Sequence, residues 1–241
     1  AHGRPMDNMQ ITFRSPGEDE AALAVLSLRS PLIGWLFPRR EAHYDRYLTF
    51  RDVPEADRQR WEDALLFFMR KLTFRYNKRL LLKSPQHTGR VRHLLRLFPD
   101  ARFIHIHRDP YTVFRSTQRL FARAVPEAYL QQPLPGGHDE GILRRYRAMY
   151  TVFFQDRDLI PAGQYVEVAY EDLEHDMLGV VAHIYDTLNL LGFAKMQPAL
   201  QQYVDSLSDY QKNVHDALPE TLRQRVAEAA HDCFAAWGYP R

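Results

Sequence analysis

Three short apolar runs, at 80–82, 103–107 and 165–169, constrain the fold of this chain more than any other feature. Each is bounded by residues that interrupt regular structure, and each reads as a buried strand. Helical periodicity fills the intervals, most clearly at 54–77 (Trp61, Leu65, Phe68, Met69, Leu72) and 86–97 (Val91, Leu94, Leu95). Further helical stretches lie at 18–28, 139–158, 176–190 and 219–236, and the Pro/Gly cluster at 133–137 marks a surface loop. Strands separated by helices are the pattern of right-handed crossovers, so the expected fold is α/β, a parallel sheet with flanking helices. A chain of 241 residues, 45% hydrophobic, suits a single domain, 1–241.

Charge is distributed unevenly. Residues 70–123 hold fourteen lysines and arginines against two acids, within a chain whose formal net charge is only +2. Clustered cations repel one another unless compensated, so this segment predicts either a local anionic partner or a solvated face paired with the acidic C-terminal third. Nucleic acid is a poor fit, because the charges are spread over two strands and their helices. No apolar run approaches the roughly 18 residues of a membrane span. The single cysteine, Cys233, forms no disulfide framework within one chain and predicts a reducing, cytoplasmic setting. Ala1 stands where an initiator methionine would, and the opening AHGRPMDN reads as the interior of a longer protein.

Ligands of parallel sheets gather at the carboxyl ends of the strands. The run 80–82 leads into Lys83, Ser84, Pro85, Gln86 and His87, and the run 103–107 leads into Arg108, Asp109 and Pro110. Both are strand ends meeting helix N-termini, where free backbone N–H groups and the helix dipole favour an anion. Arg108 carries a planar fork of donors suited to phosphate. Ser116 lies eight residues on, about 12 Å of helical rise, so reaching a shared ligand requires a late helix start or a bend.

The stretch LLLKSPQHTGRVRHLLRLFPDARFIHIHRDPYTVFRS resembles the core of the sulfotransferases that use 3′-phosphoadenosine 5′-phosphosulfate (PAPS), above all their bacterial branch. That resemblance implies PAPS as sulfuryl donor, with its 3′-phosphate held by Arg108 and Ser116. YVEVAYEDL resembles the family's strand and YED turn, which implies Tyr170 near the adenine. SDYQKNVH resembles a phosphate-gripping stretch in which Gln211 replaces an arginine, leaving Lys212 and Asn213. RPMDNMQITFRSPGEDEAAL resembles the substrate-side region and implies acceptor contacts from Arg4 and Asp7. The family's opening strand, P-R-S-G-T-T-like loop and helix, which hold the 5′-phosphosulfate as a phosphate-binding loop does, match nothing here. The implied fold is a P-loop-like sulfotransferase domain with that N-terminal unit missing, either truncated or catalytically inactive and retained for nucleotide or sulfated-ligand binding.

Sulfuryl transfer needs a base for the acceptor proton and cations over the departing oxygen. His87 and Lys83 are of those types, and the family resemblance gives a lysine and a histidine after this strand related roles. Glu18 is a second candidate base. Glu18 or Asp19 could instead orient His87, or the acids at 18–20 could simply oppose the dipole of the following helix. His105 and His107 alternate with isoleucines and read as core or pocket-lining residues; with no third ligand indicated, no metal is expected. Trp35, Phe37, Trp61, Phe67, Phe68 and Tyr76 suit an apolar acceptor cleft or plain core. The acceptor and the oligomeric state are not legible.

Overall fold

Parallel strands need a crossover of a dozen or more residues, and two of the three apolar runs satisfy that condition with two α-helices between them. The computed structural model describes residues 2–3, 10–11, 15, 17–207 and 217–241. Near the start, β1 (His2–Gly3) and β2 (Gln10–Ile11) form a short antiparallel pair. Then follow α1 (Asp19–Ser27), α2 (Leu32–Leu36), α3 (Glu41–Asp45), the long α4 (Glu55–Tyr76) and α5 (Val91–Leu97). The strand β3 (Phe103–His107) leads into α6 (Pro110–Arg123) and α7 (Asp139–Asp156), and β4 (Tyr165–Ala169) returns parallel to β3. Five helices close the chain: α8 (Tyr170–His175), α9 (Met177–Thr187), α10 (Phe193–Asp205), α11 (Glu220–Ala229) and α12 (His231–Trp237).

The register pairs Phe103 with Tyr165 and His107 with Ala169. Alternation along β4 sends Val166 and Val168 to one face, where they bury against Ile184 of α9 and Leu188 at its C-cap. The opposite face carries His105, buried against Phe153 and Trp237. Two larger cores flank the sheet. Leu23, Phe50, Trp61, Leu65 and Leu94 join α1, α4 and α5, while Phe114, Phe121, Ile142, Val226 and Phe234 join α6, α7, α11 and α12.

The expected strand at 80–82 is not one. No described strand lies beside this segment to complete a ladder, Leu81 is 84% exposed, and only Leu82 packs inward, against the α4 core. Ser84 is extended (φ −154°, ψ 133°), and the chain then enters a 3₁₀ turn, Pro85–Arg90, before α5 begins. The expected helix at 219–236 is likewise divided, at Ala230.

Candidate active site

Arg108 follows β3 directly, and Tyr170 follows β4 directly. Because the register sets His107 beside Ala169, the next residues of both strands emerge side by side, and the Arg108 guanidinium lies 4.1 Å above the centre of the Tyr170 ring. Among the described residues Arg108 has no carboxylate within ion-pair distance. The helix that follows is firmly started: Asp109 caps it, accepting hydrogen bonds from the backbone N–H of Tyr111 (3.3 Å) and Thr112 (3.0 Å), and Pro110 takes the first position. The late start or bend expected for Ser116 is absent, because α6 runs unbroken from Pro110 to Arg123. Ser116 stands exposed seven residues beyond its cap, two turns along the same face and about 10 Å up the axis. Lys212, Asn213, Arg4 and Asp7 lie outside the described residues.

The strand end that presents Arg108 is buttressed by the last residues of the chain. His107 stacks on Trp237 (ring centres 4.7 Å apart, planes within 5°), and its Nδ1 lies 3.0 Å from the Tyr239 hydroxyl, which donates in turn to Glu171 (2.8 Å). Burial lowers the His107 pKa and raises that of Tyr239. One residue pair deeper, Glu167 accepts from Tyr165 (2.8 Å) and lies 2.9 Å from His105 Nδ1. Burial pushes the Glu167 carboxyl up, but these hydrogen bonds outweigh it and hold the group at about 2. Both histidines therefore belong to packed, hydrogen-bonded surroundings.

The second half of the site is a residue-by-residue pairing of the acidic triplet 18–20 with the 83–90 turn. Lys83 pairs with Glu18, His87 Nε2 lies 2.7 Å from Asp19 Oδ2, and Arg90 grips Glu20 with both terminal nitrogens. Glu18 occupies the N-cap of α1 but makes no capping hydrogen bond, so helix capping does not account for it. Lys83 and Glu18 are solvent-facing, whereas the pairs grow more buried along the series. Arg90 and Glu20 are fully buried; Ser30 donates to Glu20 (2.6 Å), Arg90 also donates to the Tyr47 carbonyl (2.8 Å), and the guanidinium lies over Trp61 and Phe50. Gly89 lets the turn settle on the segment below it, since a β-carbon there would meet the Leu48 carbonyl oxygen at 2.9 Å.

This pairing determines which atom of His87 is basic. A carboxylate only accepts, so Nε2 carries the proton donated to Asp19 and Nδ1 keeps its lone pair. Nδ1 is buried and has no hydrogen-bond partner among the described residues. Asp19 is thus the residue that holds the imidazole in place. The three acids lie next to one another at the start of α1, whereas Lys83, His87 and Arg90 come from an extended residue and the 3₁₀ turn, so the pairing is made by tertiary contact alone. Of the six aromatic residues considered for an acceptor cleft, Trp61 and Phe68 lie in or against the α4 core and Trp35 packs on Phe121, while Phe67 and Tyr76 are exposed on α4.

A family model described as the sulfotransferase family matches residues 19–194. Two curated proteins, the omega-hydroxy-beta-dihydromenaquinone-9 sulfotransferases Stf3 of Mycobacterium bovis and Mycobacterium tuberculosis, are each 34% identical over 240 residues, covering 99% of this chain and 61% of their own. The chain therefore spans about three-fifths of the length of these relatives. In fold it is similar to the crystal structure of sulfotransferase STF1 from Mycobacterium tuberculosis, with a TM-score of 0.66 at 21% identity over 91% of this chain and 57% of that one.

Proposed function

This chain belongs to the sulfotransferase family, and from that premise we propose that it transfers a sulfuryl group from PAPS to a hydroxyl or amine acceptor. The observation that carries the proposal is Arg108: a cation with no carboxylate partner among the described residues, laid on an aromatic ring at the end of a parallel strand, beside the N-terminus of α6. A guanidinium in that position suits a phosphate, and the ring beneath it suits the adenine of the same nucleotide. Lys212 and Asn213 are proposed as further contacts to the 3′-phosphate, Ser116 as one that the Arg108 side chain meets by extending along the unbroken α6, and Arg4 and Asp7 as contacts to the acceptor.

In the proposed reaction His87 Nδ1 takes the proton of the acceptor hydroxyl, with Asp19 fixing the ring and stabilising its charged form. The acceptor oxygen forms a bond to sulfur as the bond from sulfur to the bridging phosphate oxygen breaks, which releases adenosine 3′,5′-bisphosphate. Lys83 spreads the negative charge that grows on that bridging oxygen. Glu18 is the weaker candidate for base, since its carboxylate is engaged by Lys83. No run like P-R-S-G-T-T occurs in residues 1–241, and no residue among them is assigned to the 5′-phosphosulfate. The names of the two Stf3 relatives suggest the acceptor class, a hydroxyl carried on a menaquinone-like lipid.

The test is transfer of label from PAPS to a hydroxylated isoprenoid quinol by the full-length protein. His87→Ala is expected to lower turnover at least a hundredfold while affinity for adenosine 3′,5′-bisphosphate is unchanged. Equal losses in both would make His87 a binding residue, and nucleotide binding without transfer to any acceptor would favour a binding-only protein.

A further inference from the structure

Helix α4 has two apolar faces, and one of them stands exposed. Its core stripe, Trp61, Leu65, Phe68 and Leu72, packs inward. On the opposite side Phe67 and Phe74 stand 52% and 93% exposed, and seven residues apart they lie within about 20° of each other around the helix. Arg70 falls to one side of this pair and Lys71 and Arg75 to the other, at about 40–80° from Phe67. From residue 70 to 79 the chain holds five cations and no acid. Among the described residues none of those five forms an ion pair; Lys71 and Arg75 only lean on the rings of Phe67 and Tyr76. Two exposed phenylalanines flanked on both sides by unneutralised cations form an apolar wedge between positive shoulders.

We propose that this end of α4 docks on the surface of a bilayer containing anionic lipid, with Phe67 and Phe74 inserted among the acyl chains and Arg70, Lys71, Arg75, Lys78 and Arg79 at the headgroups. Hydrophobic side chains bracketed by snorkelling cations are the arrangement by which surface helices lie in a membrane interface. The charge complementarity selects acidic headgroups, each cation near such a surface strengthening binding roughly fivefold. Docking by α4 would set the segment leading to Lys83 and His87 at the plane of the membrane.

The test is cosedimentation of the full-length protein with phosphatidylcholine vesicles with and without phosphatidylglycerol. Binding is expected to the anionic vesicles only and to fall steeply with salt. Phe67→Ser with Phe74→Ser should weaken it at least tenfold, and Arg70→Ser with Lys71→Ser and Arg75→Ser by on the order of a hundredfold. All five substitutions lie on exposed positions, and an unchanged thermal melt confirms that the variants fold. Four results would overturn the proposal: no vesicle binding at low salt, equal binding to both vesicle types, binding indifferent to the phenylalanines, or a patch whose substitution only disperses a dimer of this chain or releases bound RNA. The contact is independent of the acceptor assignment, for a protein that binds vesicles and sulfates no lipid alcohol retains this surface and loses only that assignment.

Discussion

Replacing Glu20 by glutamine removes one charge and almost no volume, yet it strikes the tie between the acidic triplet and the His87 turn. Arg90 is fully buried, and around its guanidinium stand Phe50, Trp61, the Tyr47 carbonyl and Glu20. Without the carboxylate a buried cation is left with neutral acceptors only. Breaking one side of a buried pair costs about 3–5 kcal/mol. Glutamine keeps one oxygen able to accept from Arg90, which sets the expectation near the lower end, about 3 kcal/mol. For a chain of this length each kcal/mol moves the midpoint about 2–4 °C, so the thermal transition should fall by about 6–12 °C. Circular dichroism melts of the two proteins measure this. Exchanging both partners, Glu20→Leu with Arg90→Met, should recover most of the loss because the buried charge leaves with its counter-ion. A fall of less than about 2 °C for Glu20→Gln would show that this ion pair does not hold the turn.

Two further outcomes follow from buried titratable groups. Burial, with Arg58 and Arg96 nearby, holds His93 at about 4. The folded pKa lies below the unfolded value of about 6.5, so the unfolded chain takes up a proton that the folded chain refuses, and stability is lost as pH falls from about 6.5 to about 4. The full loss is about 3 kcal/mol; urea midpoints across that window should show it, with a flatter slope for His93→Gln and an unchanged slope as the contrary result. Cys233 is buried, and burial pushes its thiol up to about 12, so a disulfide reagent should modify it only after denaturation. Reaction of the native protein at the rate of free cysteine would contradict the packing of α12.

The helices and strands that were legible in sequence are those whose pattern is local. α4 shows its period over six turns, and β3 and β4 are apolar or alternating runs between breakers. The meeting of Arg108 and Tyr170 was legible through the family resemblance, and the parallel register supplies its cause. What stayed hidden depends on distant partners. The run 80–82 is as apolar as β4, but a strand is made by its neighbour, and no described strand pairs with it. The acids at 18–20 read as dipole complements because nothing local reveals that Lys83, His87 and Arg90 lie opposite. α10 was not legible because Pro198 sits at its sixth position, past the first turn, where it removes the N–H that would bond the Ala194 carbonyl. Phe67 and Tyr76 resemble core residues in composition, and only their azimuth around α4 separates them from Phe68.

The central claim, that the ends of β3 and β4 form the seat of a nucleotide bearing a 3′-phosphate, is tested most directly by calorimetric titration with adenosine 3′,5′-bisphosphate and with adenosine 5′-monophosphate, on the unaltered chain and on Arg108→Ala. Loss of hydrogen bonds to a charged phosphate, about 1.5–3 kcal/mol, predicts about 10- to 150-fold weaker binding of the bisphosphate to the variant and little change for the monophosphate. Equal affinity of both proteins for the bisphosphate would contradict the account.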